Sequence, residues 1–371
     1  MSGRVRLIRL EHAGGHTLGE AVRGGSGQVL LHAGVRLSPR YLRALGEYGF
    51  GAVYVEDPVA PGIAVDDSLR AETRAQAFTA VKGIFERAGR GEIGDIAAAR
   101  RAVDGLLDDI AGTAASVFGL SALRAASEYT FAHSVNVCAL SLLIGTLSGF
   151  DRPELRQLGV GALLLDVGKA SCIEATEKPG ALTASEWEVM RRHPVDGYEM
   201  LRKSPEVHLF SAHVAFQHHE RADGSGYPRG IYGDRILPFA AIAAVADVYD
   251  AMTAARPYRE ARPPHEAVAW LQERAGTQFD RDAIRRLARR VAVYPAGTIV
   301  RLSSGEVGAV EGQGVDPRRP RVRVVGDAQG HPVAPATVDL ADDPGRPSVA
   351  DVLADWPRAL AKGLPGGPAE L

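Results

Sequence analysis

The sequence predicts a mainly α fold: a helical bundle carrying a small N-terminal α/β unit and a small C-terminal β appendage. Three observations predict it. From Asp67 to about Tyr294, apolar residues recur at helical spacing in segments that carry their own capping residues. Before that stretch, two short apolar runs bounded by glycine flank a helical pattern. After it, from Gly297, β-branched residues alternate with polar ones between Gly- and Ser-rich turns. The 371 residues divide accordingly into a small N-terminal α/β unit (1–62), a helical connector (63–118), a helical domain (119–294), a β appendage (295–345) and a partly disordered C-terminal tail (346–371).

In the N-terminal unit, Gly27 to Gly34 encloses an apolar strand and Gly51 to Val55 reads as the closing strand. Ser38 caps the helix between them, with Leu42 and Leu45 facing inward. His12, His16 and His32 lack metal-ligand spacing and read as surface or structural residues. Pro58 to Gly62 is a linker. In the connector, Asp67 or Ser68 caps a helix with Phe78, Val81, Ile84 and Phe85 on one face, and a second helix presents Val103, Leu106, Leu107 and Ile110. That narrow stripe fits two helices packed on the next domain and a dimerising hairpin equally well.

Bulk properties bound the function. Forty-three Lys and Arg against forty-five Asp and Glu give a net charge of −2, which argues against sequence-independent binding to DNA or RNA. Cys138 and Cys172 lie in apolar helical patterns and read as core residues of a reducing cytosol. Met1 to Leu10 carries charges throughout, and the longest apolar run, Val137 to Phe150, is short for a bilayer. The expectation is a cytoplasmic protein with no membrane and no DNA partner.

The chemistry concentrates in the helical domain. His133 shares a helical stripe with Val137, Leu140 and Ile144, so it points towards the core. The next helix begins near Asp151-Arg152-Pro153, and Leu155, Leu158, Ala162, Leu165, Asp166 and Lys169 fall on its inward side. A buried acid and base need partners; an ion pair between Asp166 and Lys169 at i, i+3 is one solution and a metal is another. Thr183 to Glu186 forms a capping box, and Pro194 ends that helix with His193 at its terminus. Val207, Phe210, Val214 and His218 form a further stripe, and Ala240, Ala243, Ala244 and Ala251 surround Asp247 with small side chains. His208 and His213 lie off the His218 face and read as surface residues. Five helices in succession thus each place a ligand-type residue at an inward or terminal position.

These residues converge on His218-His219-Glu220-Arg221-Ala222-Asp223-Gly224-Ser225-Gly226-Tyr227-Pro228, two imidazoles and an acid followed by a glycine-rich turn. The stretch resembles the signature of HD-GYP proteins, metal-dependent phosphodiesterases of cyclic di-GMP built on an HD-type helical bundle. The resemblance extends from about Tyr129 to Phe279. It implies metal ligation by His133, Asp166, His193, His218, His219 and Asp247, with Asp166 bridging two divalent ions, iron or manganese. In-line hydrolysis of a phosphodiester would follow, giving linear pGpG, or GMP after a second cut. Lys169 and Arg256 would hold phosphate charge, and Gly226, Tyr227, Pro228 and Tyr258 would line the nucleotide pocket. Lys178-Pro179-Gly180 resembles a following loop. The N-terminal unit is similar to pieces found beside HD-GYP domains, which implies regulation, dimerisation or contact with signalling proteins.

The chain departs from the family pattern at Leu165, where the motif has a histidine that supplies a nitrogen to the first metal. That ion would keep only His133, Asp166 and Asp247, which weakens its site. Tyr129 replaces a glutamate that in some members helps hold a third ion, so two ions are the most expected. An intact turn without full ligation also fits a module that binds cyclic di-GMP or a protein partner and does not hydrolyse it.

Overall fold

The computed structural model describes residues 5–24, 27–48, 50–57, 68–112, 129–172, 183–254, 261–343 and 345–357. Strands β1 (Val5–Arg9) and β4 (Ala52–Glu56) pair antiparallel, β2 (Val22–Arg23) pairs with β3 (Val29–Leu31), and helix α1 (Pro39–Glu47) lies between. Ser38 caps α1 through the Tyr41 amide. Ile8, Leu18, Leu37, Leu45, Phe50, Val53 and Val55 form this unit's own core.

The bundle comprises α2 (Ala71–Ala88), α3 (Ile96–Gly112), α4 (Tyr129–Leu147), α5 (Arg152–Leu163), α6 (Ala184–Met190), α7 (His193–Leu201), α8 (Leu209–Gln217), α9 (Pro238–Thr253), α10 (Pro264–Glu273) and α11 (Arg281–Ala288). One continuous apolar core from Leu69 to Val291 takes residues from each of these helices except α6. Helix α4 runs through its middle with both faces buried, because it is apolar all round. At nineteen residues it is long and apolar enough to cross a membrane, longer than the run read from sequence, but 89% of its apolar window is buried by its neighbours. The connector stripe is likewise spent inside the chain: Phe78 and Phe85 pack edge-on against Phe131 of α4, and Val103, Leu106 and Ile110 join the same core. That removes the basis the stripe offered for a homodimer. The N-cap of α2 is Arg70, not Asp67 or Ser68; Asp67 lies outside the described residues, and the Arg70 amide bonds Asp109 of α3.

Three boundaries differ from the periodic reading. Helix α5 stops at Leu163, so Asp166 and Lys169 sit in a turn and a following 3-10 turn (Val167–Ser171) and not on the α5 stripe. Pro194 does not close α6. It occupies the first turn of α7, where its missing N–H costs nothing, so His193 opens a new helix. Phe210 is 47% exposed in the first turn of α8 and lies off the buried stripe of Val214 and His218.

The C-terminal sheet has the order β8-β7-β6-β5-β9, all antiparallel: β5 (Ile299–Leu302), β6 (Val307–Gly312), β7 (Arg321–Gly326), β8 (Pro332–Asp339) and β9 (Val349–Leu353). Both β8 and β9 were missed, and β9 falls within the stretch read as a partly disordered tail. The sheet is latched to the N-terminal unit. Buried Arg6 pairs with buried Asp57 at 2.7 Å and with Asp355 at 2.8 Å, and the Trp356 indole donates to Asp57 at 2.8 Å. Removing Asp57 leaves buried Arg6 with only the half-exposed Asp355 and the Trp356 indole without its acceptor, so Asp57→Ala should cost about 3 kcal/mol in a denaturant titration. A loss below about 1 kcal/mol would show that the latch is an exposed pair in solution.

Candidate metal centre

Two imidazoles of the centre are each oriented by a bond on the far nitrogen. His193, first residue of α7, donates from Nδ1 to the Met190 carbonyl at 2.6 Å, which leaves Nε2 as a lone pair. His218, the C-cap of α8, donates from Nδ1 to the Ala215 carbonyl at 2.9 Å, with the same result. The two Nε2 atoms face each other at 3.2 Å and lie 3.2 and 3.6 Å from Asp166 Oδ1. Among the described residues no donor satisfies that oxygen, although it is buried. Three acceptor atoms crowd together with no proton between them, an arrangement that a cation stabilises and ordinary packing does not. His219 completes the group: one donor atom from each of Asp166, His193, His218 and His219 lies within 4.8 Å of the others.

Burial holds His193 below the usual imidazole range. Burial holds His219 well below it. Both rings are therefore neutral and ligand-ready at pH 7. Burial alone would raise Asp166, but the Lys169 ammonium together with the neighbouring His193 and His218 overcomes it and holds the carboxylate well below its usual range.

The other half of the centre is built differently. His133 on α4 meets Asp247 Oδ1 through Nε2 at 2.9 Å and Asp250 Oδ2 through Nδ1 at 2.8 Å. Burial works to lower this histidine, but Tyr129 and the two carboxylates lift it well above the usual range. Tyr129 stacks on the ring, with centroids 5.4 Å apart. His133 Nε2 is 3.9 Å from Asp166 Oδ2, and that oxygen already accepts from Lys169 Nζ at 2.6 Å. The i, i+3 ion pair is thus present beside the histidines, not instead of them. Leu165 is fully buried in the apolar core and offers no donor atom.

The loop after His219 is fixed by Glu220, buried at the end of the α8 segment, whose carboxylate accepts the amides of Arg229 at 2.9 Å and Ile231 at 3.2 Å. The Tyr227 ring stacks on His219 at 4.6 Å and is capped by the Arg191 guanidinium at 4.8 Å. The ring is therefore engaged by protein groups, and its visible role is to hold His219. Arg256 and Tyr258 lie outside the described residues, as do Lys178, Pro179 and Gly180. His213 is half-buried between Tyr198 and Phe216, and exposed His208 caps α8. Sequence reasoning set Asp250 in a segment resembling the one that closes the substrate pocket and not beside His133, and it gave Glu220 and Arg191 no role of their own. Asp250 follows Asp247 by three residues, which was the available signal for a second carboxylate beside His133.

Gly168 sets the distance between Asp166 and His193. A Cβ there would lie 2.1 Å from the His193 carbonyl oxygen and 2.6 Å from the Gly197 amide, both backbone. Gly168→Ala should cost about 3 kcal/mol, the upper end of overpacking, and should lower metal retention. Thermal unfolding with metal analysis checks this; a variant with native Tm and metal content would refute it.

A helical bundle with a buried histidine–aspartate centre defines a protein of the HD class. Residues 119–283 match the family model described as HD domain. The chain is 35% identical over 288 residues to "Cyclic di-GMP phosphodiesterase PA4108" of Pseudomonas aeruginosa, covering 76% of this chain and 69% of that protein. It is 40% identical over 176 residues to "Cyclic di-GMP phosphodiesterase response regulator RpfG" of Xanthomonas campestris pv. campestris, covering 46% of this chain and 47% of that protein. It is also 38% identical over 176 residues to "3'3'-cGAMP-specific phosphodiesterase 3" of Vibrio cholerae, covering 46% of this chain and 37% of that protein. The chain therefore belongs to the HD-GYP family of HD domain phosphohydrolases, a metal-dependent class.

Proposed function

We propose that the chain is a cytoplasmic, metal-dependent phosphodiesterase that hydrolyses cyclic di-GMP to pGpG, with GMP as the product of any second cut. The observation that carries this reading is the convergence of Asp166 Oδ1, His193 Nε2 and His218 Nε2, buried and without a proton among them. Imidazole and carboxylate donors suit iron or manganese. A bound ion of this kind activates water as a nucleophile and neutralises charge developing at phosphorus.

The chain's residues prepare the centre. The Met190 and Ala215 carbonyls fix the tautomers of His193 and His218, and the Tyr227 ring holds His219. Burial of Asp166 excludes competing water and strengthens its interactions. The Gly226-Tyr227-Pro228 loop sits beside the centre, where a nucleotide would approach; Arg256 would hold its phosphate charge and Tyr258 would line its pocket. The substrate class rests on relatives whose names specify cyclic di-GMP or 3'3'-cGAMP. Two reduced cysteines agree with a cytoplasmic place.

Leu165 favours a second reading, a module that binds the dinucleotide without cleaving it. Incubation of manganese- or iron-loaded protein with cyclic di-GMP, followed by chromatography, separates the two. Appearance of pGpG, abolished by a chelator, is expected. Tight binding with the dinucleotide recovered intact would establish the receptor instead. 3'3'-cGAMP in parallel tests which cyclic dinucleotide is preferred.

A further inference from the structure

We infer that the centre holds a single metal ion, on the Oδ1 side of Asp166, and that the Lys169 ammonium takes the place of a second ion on the Oδ2 side. This rests on the metal-dependent reading above and concerns how that centre is completed.

The two oxygens of Asp166 have unlike surroundings. Oδ1 is buried without a donor among the described residues and faces the lone pairs of His193 and His218. Oδ2 accepts from Lys169 Nζ at 2.6 Å, so a positive charge already sits on the oxygen that a bridging carboxylate would offer to a second ion. The other donors on that side are occupied too. Both nitrogens of His133 have carboxylate partners, Asp247 at 2.9 Å and Asp250 at 2.8 Å. Leu165, adjacent in the chain, is fully buried and apolar, so no fourth protein donor comes from it. The group of potential ligand atoms that crowd within 4.8 Å contains Asp166, His193, His218 and His219, and neither His133 nor Asp247.

An ammonium satisfies a buried carboxylate with directed N–H donors and needs no further ligands. An ion at the same place would have to be held by three protein donors after displacing that ammonium. The Lys169 side chain is 21% exposed, so it has room to leave when better ligands are supplied.

Protein stripped by a chelator, refilled with excess manganese and desalted should retain about one ion per chain by elemental analysis, with the six-line paramagnetic resonance spectrum of an isolated ion. Lys169→Met keeps the length of the side chain and removes the charge; it should admit a second, weaker ion and bring the count towards two. Leu165→His should do the same by adding a donor. Two ions in the native protein, with an exchange-coupled spectrum, would overturn the inference. So would a Lys169→Met protein whose count and affinity match the native values. A chain that is folded by circular dichroism yet retains no ion would overturn the metal-dependent reading itself, which separates the two failures.

Discussion

Asp166→Asn should reduce cyclic di-GMP hydrolysis about a thousandfold and leave the desalted protein with less than about a tenth of its metal, if losing this ligand costs about 4 kcal/mol. The substitution keeps the shape of the side chain and removes the charge at the point where the centre is assembled. In the native protein Oδ1 lies 3.2 Å from His193 Nε2 and 3.6 Å from His218 Nε2, each with its proton held on the opposite nitrogen. A neutral amide can turn its NH2 towards those lone pairs and satisfy them internally. The cation then loses both its anionic ligand and its advantage over ordinary hydrogen bonding. Elemental analysis, turnover at saturating manganese and circular dichroism together check this result. Native metal content with low turnover would mean that Asp166 serves the reaction without holding the ion.

Gly226→Ala should have the next largest effect, and a different one: dinucleotide affinity should fall about a hundredfold, a loss of about 2.7 kcal/mol, while the metal is retained. A Cβ at Gly226 would stand 2.4 Å from the Arg221 amide and 2.5 Å from both the Glu220 Cα and the His219 carbonyl oxygen. All three are backbone of the segment that carries the metal-centre histidines, so the loop must move and not that segment. The movement would pull Tyr227 from its stack on His219 and out from under Arg191. His193 and His218 keep their own carbonyl anchors, which is why metal should stay. Calorimetric titration of the manganese-loaded variant with cyclic di-GMP measures the first quantity and elemental analysis the second. Equal loss of both would show that the loop supports the metal centre as a whole.

Local signals made much of this architecture legible. Ser38, Asp151 and Thr183 were read as helix starts, and each side chain accepts a backbone N–H at the first turn of its helix. Capping depends on a few neighbouring residues and survives without knowledge of the fold. The stripe containing His133 was legible for the same reason, since every position on it is buried.

What was not legible depends on contacts distant in sequence. Periodicity carried Asp166 and Lys169 along α5 because no proline or glycine stands at Leu163, where that helix stops. The packing of Gly168 on His193 and Gly197 ends the pattern, and nothing local announces that contact. Pro194 is compatible with ending one helix or opening the next, and only the fold decides. Strand β8 carries two prolines and is mostly exposed, as an edge strand permits, so it lacked the alternation by which β5 and β7 were recognised. The pairing of Asp250 with His133 spans 117 residues, and the stack of Tyr227 on His219 adds a contact with a histidine to a residue expected at the substrate.

The measurement that bears most directly on this account is anomalous X-ray diffraction from crystals of the manganese-loaded protein. A peak bounded by Asp166 Oδ1, His193 Nε2 and His218 Nε2 is the predicted result. Crystals grown in excess manganese that show no peak among these atoms, with the three side chains bonded to one another or to other neighbours, would contradict it.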